Sequence, residues 1–145
     1  SGEIAGPVVP KTLNLVASSS SPLSLSASVP FNYDVQVVAN HSTSSLTVET
    51  VFRKNGQTLA VGNIFSGLVV TTRRGNGPTV FTTINASAPG MRGDRVSVSN
   101  TEKFVFGFAG QKKVNAVAGT YTIESTLIDS RGVVLDTQIT EFVVQ

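Results

Sequence analysis

Alternation of apolar and polar residues with a period of two is the feature that most constrains how this chain can fold. It is clearest in residues 23–29 and 104–108, where every second residue is apolar. A β-strand with one buried face requires this pattern, because successive side chains point to opposite sides of the sheet. Helical spacing is sustained nowhere along the chain. The sequence therefore predicts an all-β domain.

Short strands separated by turn residues favour a sandwich or barrel over a mixed fold. The predicted strands cover residues 12–17, 23–28, 33–39, 46–53, 57–61, 65–72, 79–84, 95–99, 103–108, 120–128 and 133–144. Asn55-Gly56 suits a type I′ turn, in which both central residues need positive φ. A second turn is predicted at 129–132, which begins with Asp and ends with Gly. The Gly- and Pro-rich stretches 73–78 and 85–94 are predicted to be exposed loops.

The C-terminal third of the chain resembles the last hairpin of immunoglobulin-like and fibronectin-type modules. Gly119-Thr-Tyr121 has the Gly-x-Tyr that opens the penultimate strand of such modules, and the turn at 129–132 leads into the last strand. Residues 33–40, followed by the Asn55-Gly56 hairpin, are similar to the early strands. The resemblance implies an immunoglobulin-like antiparallel β-sandwich, although the Cys and Trp of antibody-type domains are absent. Modules of this class generally bind, space or assemble rather than catalyse.

The start of the chain is predicted to be an extended N-terminal arm, residues 1–17, ahead of a sandwich domain at 18–145. The apolar residues that would form an exchanged strand are Val8, Leu13 and Leu15. In this respect the chain is similar to subunits of pili and other surface filaments, in which an N-terminal extension adds a donor strand to the neighbouring subunit. Pro7 and Pro10 oppose this interpretation, because proline cannot donate to a β-ladder. The resemblance implies that the partner is a second copy of the same chain.

Composition bears on where the chain works. Charged residues make up 14% of it, against about 25% in a typical soluble domain, so the surface must be covered largely by Ser, Thr, Asn and Gln. This favours an extracellular or cell-surface location. The 11 basic residues are scattered rather than gathered in a stripe, so no nucleic-acid partner is expected. No apolar run reaches the length of a membrane span.

Residues that could carry chemistry are few. Without cysteine the chain has neither a thiolate nucleophile nor a zinc site that needs sulfur. His41 is the only histidine and is predicted to lie in an exposed turn, and no acidic cluster resembles a calcium loop. A glycosidase would need only two carboxylates in a cleft, but a chain with no Trp is poorly equipped to stack sugars. No cofactor is expected, and the chain is not expected to be an enzyme.

Three motifs invite a functional interpretation and also have a structural one. Arg92-Gly93-Asp94 resembles the integrin-binding tripeptide of adhesive proteins, but a polar turn that needs glycine gives the same string. Asn40-His-Ser42 and Asn85-Ala-Ser87 are N-glycosylation sequons. Phe104, Phe106 and Phe108 share one face of a strand and are predicted to be core, the alternative being a stacking platform for bases or sugars.

The sequence favours a structural subunit of an extracellular filament or surface assembly that polymerises by strand exchange through its arm. One alternative is a monomeric adhesion or carbohydrate-binding module that uses loops 73–78 and 85–94 to contact a cell-surface receptor or glycan. Another is a viral capsid or decoration domain, although such a subunit more often carries a basic arm and Lys11 alone does not make one.

Overall fold

The computed structural model describes residues 9–17, 23–93 and 95–145, which form two facing β-sheets. Sheet A contains, in spatial order, β1 (Leu13–Ala17), β3 (Phe31–Ala39), β10 (Phe104–Lys112), β6 (Phe65–Arg74) and β7 (Val80–Thr83). Sheet B contains β2 (Leu23–Leu25), β12 (Val134–Val144), β11 (Gly119–Ile128) and β4 (Thr43–Lys54), and then β5 (Gln57–Thr58), β8 (Gly90–Arg92) and β9 (Val96–Val98) beside β4. The predicted all-β fold is confirmed.

The strand order is that of the immunoglobulin fold. In sheet A, β1, β3, β10 and β6 take the places of strands A, B, E and D, and in sheet B β4, β11 and β12 take those of C, F and G. β2 pairs in parallel with β12, with Leu25 opposite Val144. The first strand of the fold therefore changes sheets between Ala17 and Leu23. The predicted immunoglobulin-like sandwich is confirmed by this topology.

The inner faces of the two sheets enclose a core that is aromatic at its centre. Along β3 every second residue is buried, as the alternation predicts. The rings of Phe31, Phe52 and Phe142 meet edge to face, with centroids 5.1 to 6.3 Å apart. On β10, Phe106 and Phe108 are buried. The prediction that three phenylalanines of this strand belong to the core is therefore confirmed for these two, while Phe104 is partly buried and packs against the core.

The start of β11 carries one hallmark of immunoglobulin-like domains and lacks another. At the start of β11 the Tyr121 hydroxyl donates to the carbonyl of Val117 at 2.5 Å, which is the tyrosine corner of immunoglobulin-like domains. The second disulfide cysteine of antibody domains follows two residues later, where this chain has the fully buried Ile123. Inside the sandwich, Thr140 donates to the Tyr33 hydroxyl at 3.2 Å, and burial raises the pKa of Tyr33.

Both predicted turns are confirmed. Asn55 and Gly56 have φ values of 52° and 77°, as a type I′ turn between β4 and β5 needs. Between β11 and β12, the N–H of Gly132 donates to the carbonyl of Asp129 at 3.0 Å. The carboxylate of Asp129 accepts two further backbone N–H groups of the same turn.

The predicted strand 23–28 is too long. The strand ends at Leu25, because the chain turns at Ser26 although the alternation continues. The hydroxyl of Ser26 accepts the N–H of Val29 at 3.1 Å, and the N–H of Ser26 donates to the Val29 carbonyl at 2.9 Å. The predicted strand 57–61 also ends early, since a short 3-10 helix, Val61–Asn63, follows β5.

The predicted loop 85–94 is not wholly a loop, because it contains β8. This strand pairs antiparallel with β4, and Gly90 permits the close approach, since a Cβ there would lie 1.8 Å from the Thr50 carbonyl oxygen. The chain between β6 and β10 thus extends sheet A with β7 and then borders sheet B with β8 and β9. One continuous segment closes this side of the sandwich.

Candidate functional site

Four of the seven carboxylates in the described ranges form ion pairs with arginines. Residues 9–17, 23–93 and 95–145 contain no group of three or more acidic or histidine side chains that could hold a metal ion. The ion pairs are Arg53–Glu124, Arg74–Glu102, Arg92–Glu49 and Arg131–Asp129. His41 lies beside Asn40, with its Nδ1 3.1 Å from the Asn40 Oδ1. Over the same ranges, no helix has the length and apolar character needed to cross a bilayer.

The predicted donor strand is β1, an edge strand that pairs with β3 of its own chain. Leu13 lies opposite Ala39 and Leu15 opposite Val37 in an antiparallel ladder. Leu15 is buried in the core, and Leu13 packs against the core while half-buried. Val8 lies outside the described residues. The structure therefore places both described leucines in the sandwich of the chain that carries them.

Two side chains fasten β1. Asn40, at the end of β3, accepts the N–H of Thr12 on its Oδ1 and donates from its Nδ2 to the Pro10 carbonyl, both at 2.8 Å. On the outer side of β1, the Asp136 carboxylate accepts the N–H of Leu15 at 2.8 Å. That N–H points away from β3, so the carboxylate occupies the position that a further strand would use. The edge of sheet A is blocked at this point.

The two sequons have different environments. The Nδ2 of Asn40, which a glycan would modify, is already a donor to Pro10. Asn85 is exposed, and its Oδ1 accepts the N–H and the hydroxyl of Ser87 at 2.9 and 2.8 Å. This turn uses the amide oxygen and not the nitrogen. Of the two, Asn85 is the sequon whose Nδ2 has no hydrogen bond among the residues that the structure describes.

Arg92 and Gly93 lie at the edge of sheet B, not at the tip of a loop. Arg92 ends β8 and forms an ion pair with Glu49, with Nη1 and Oε1 2.8 Å apart. The N–H of Gly93 donates to the backbone of β4 at 3.0 Å. A Cβ on Gly93 would lie 2.9 Å from the Phe106 ring. Packing therefore gives a structural reason for this glycine, while Asp94 lies outside the described residues.

A broad open groove of about 750 Å³ lies on the outer face of sheet A, beside the Gly-rich loop that follows β6. Its floor is formed by Gln36, Val105 and Arg73, which lie side by side on β3, β10 and β6. Residues 75–78 and 101–103 form its walls. The predicted loop 73–78 is wrong at its start, because Arg73 and Arg74 belong to β6. The sequence analysis missed the floor, whose signal is the outward orientation of Gln36 and Val105 in predicted strands.

Arg73 and Arg74 are neighbours in sequence but have different surroundings. Because side chains alternate along a strand, the two point to opposite sides of β6. Arg74 forms an ion pair with Glu102 at 3.1 Å, and its guanidinium lies over the Phe104 ring at 5.6 Å. Arg73 and Lys103 line the groove, and neither has a carboxylate partner among the described residues. The groove therefore carries a net positive charge.

No protein-family model and no curated protein matches the chain. Among solved structures it is similar to AvmM, which catalyses macrocyclization in alchivemycin A biosynthesis, with a TM-score of 0.55, 8% identity, and coverage of 90% of this chain and 88% of that one. The CARDB domain of PF1109 from Pyrococcus furiosus gives a TM-score of 0.48 at 15% identity, covering 92% and 93%. BslA, a bacterial hydrophobin, gives 0.33 at 15%, covering 95% and 94%. At these identities, likeness extends to the fold alone.

Proposed function

We propose that this domain acts by association rather than catalysis, as a structural subunit of an extracellular filament or surface assembly. In this proposal the copies are joined by exchange of β1. The observation that carries it is the placement of β1, an edge strand that inserts the buried Leu15 into the core. β1 lies on sheet A, whereas the next strand, β2, lies on sheet B. The two strands therefore belong to separate parts of the sandwich.

Exchange would preserve the contacts that β1 makes in the closed chain. β1 of one copy would pair with β3 of the next in the same register, and main-chain hydrogen bonds would give strength while the Leu15 pocket gives register. The hydrogen bonds that Asn40 and Asp136 accept from β1 and the residue before it would then form between two copies instead of within one. Because little is lost, chain concentration decides which form is populated.

Paired cysteines test the exchange, since the chain has no native cysteine. Asn14 and Val38 lie opposite each other in the β1–β3 ladder. The Cα atoms of a hydrogen-bonded antiparallel pair are about 5.5 Å apart, which a disulfide spans. The oxidised double variant Asn14→Cys/Val38→Cys is linked within one chain when β1 is closed, and between chains when β1 is exchanged.

The readout is denaturing electrophoresis without reductant, after oxidation over a range of protein concentrations. Strand exchange is expected to give a ladder of covalent oligomers that grows with concentration and collapses on reduction. Each single-cysteine variant is a control for random cross-linking, because it can form at most dimers. If the double variant runs as a monomer at every concentration, β1 stays in its own chain and the proposal fails.

A second candidate function is a monomeric adhesion or carbohydrate-binding module at the cell surface. The observation that favours it is the basic groove beside the Gly-rich loop that follows β6, which offers a binding surface that does not involve β1. A monomer at every concentration in the cysteine experiment would favour this candidate over the filament subunit.

A further inference from the structure

We infer that the groove on the outer face of sheet A binds an acidic polysaccharide, one that carries carboxylate or sulfate groups. The inference does not depend on exchange of β1, because the floor and walls of the groove come from β3, β6, β10 and the loops beside them. The juxtaposition that carries it is that of Arg73 and Lys103, two cations without a carboxylate partner among the described residues, beside the amide of Gln36 in one groove.

Four of the five other arginines in the described chain form ion pairs. Arg53, Arg74, Arg92 and Arg131 each have a carboxylate within hydrogen-bonding distance. Arg73, the second-to-last residue of β6, has no such partner among the described residues, and neither has Arg95. Its register partner is the apolar Val105. The cation is thus left available to an anion from solution.

The carboxylate that lines the groove, Glu102, is bound to a different cation. Glu102 accepts from the Nη1 of Arg74 at 3.1 Å. The same Nη1 donates to the carbonyl of Ser97 at 2.9 Å and to its hydroxyl at 3.2 Å, and these bonds hold the guanidinium in place. The Glu102 side chain packs closely against Gly75, where a Cβ would lie 3.1 Å from the Glu102 Cγ. Glu102 therefore neutralises Arg74, and the charge of Arg73 and Lys103 remains.

The uncharged lining suits a polyol. The amides of Gln36 and Asn76 and the hydroxyl of Thr101 line the same groove and can donate to or accept from sugar hydroxyls. The floor extends over three neighbouring strands, a width of about 10 Å. The lining that the structure describes contains no aromatic ring, so neither a base nor a sugar would stack there, and recognition would rest on charge and hydrogen bonds.

Three dextrans that share one backbone provide the probes: dextran sulfate, carboxymethyl dextran and unmodified dextran. Binding to the full chain would be measured by isothermal titration calorimetry at about 0.15 M salt, where weak long-range attraction is largely screened. We expect one or both charged dextrans to bind and the unmodified one not to bind. The sulfate and carboxymethyl arms distinguish which oxyanion the groove prefers.

The variant Arg73→Ser/Lys103→Ser tests the site, and we expect it to weaken binding roughly tenfold. The matched control is Lys112→Ser/Lys113→Ser, which removes the same charge at the opposite end of sheet A, where Lys112 lies opposite Phe65. A loss of less than about twofold is expected there. Urea unfolding would show that both variants remain folded. Equal weakening by both variants, equal binding of unmodified dextran, or no binding of either charged dextran would overturn the inference.

Discussion

Replacing Leu15 by alanine measures how much β1 contributes to the core. The side chain is only 4% exposed, and the substitution removes three carbons beyond the Cβ. At about 0.8 kcal/mol for each buried carbon, the lost transfer free energy is about 2.4 kcal/mol. The cavity adds to this cost, although an edge strand can partly close it by moving inward. We therefore expect the free energy of unfolding to fall by about 3 kcal/mol.

The matched control is Val16→Ala, one position along the same strand. Val16 faces outward and is 46% exposed, so removing two half-exposed carbons should cost about 0.8 kcal/mol. Urea unfolding at equilibrium gives both values by linear extrapolation, with the slope as a check that the denatured states are comparable. Equal losses at the two positions, or no loss at Leu15, would refute the packing of β1 into the core.

Two further predictions concern turns. Tyr121→Phe removes the hydrogen bond to the Val117 carbonyl and should cost about 1 kcal/mol in urea unfolding; a variant as stable as the parent would contradict the role given to the tyrosine corner. Hydrogen bonding from the Arg131 side chain, aided by the Val133 N–H, lowers the pKa of Asp129. A lowered pKa adds stability at neutral pH that is lost as the pH falls through it. The unfolding midpoints of parent and Asp129→Asn should therefore differ at pH 7 and converge in acid, and an NMR titration of Asp129 at its ordinary value would contradict this.

Strand positions and turn types could be predicted because they depend on local chemistry. A sheet with one buried face imposes alternation on every strand that it contains, as β3 shows residue by residue. Asn55-Gly56 tolerates positive φ at both positions, so it predicts its own turn without reference to the rest of the chain. Gly119-Thr-Tyr121 can be recognised in the same way, because it combines a glycine that the backbone requires with a tyrosine whose hydroxyl donates to the carbonyl four residues earlier.

Pairing between distant segments could not be predicted, because it depends on which backbones meet. Residues 90–92 lie in a stretch punctuated by Gly and Pro, which predicts a loop, yet they pair with β4 because Gly90 presents no Cβ to Thr50. The groove also depends on register, which brings Gln36 and Arg73 to the two sides of Val105. Alternation predicts that Arg73 and Arg74 point to opposite faces of the sheet. Only the folded chain shows that Glu102 forms an ion pair with Arg74 and not with Arg73.

The parallel pairing of β2 with β12 determines how the domain would respond to mechanical tension. Leu23 lies opposite Phe142 and Leu25 opposite Val144, and the N–H of Gln145 donates to the Leu25 carbonyl at 2.9 Å. When Leu23 and Gln145 are pulled apart, β2 and β12 slide along each other, so their hydrogen bonds are stretched together. An antiparallel pair would instead open one bond at a time. We therefore expect the part of the domain between Leu23 and Gln145 to resist stretching, whereas β1, which precedes β2 and pairs with β3, lies outside this ladder.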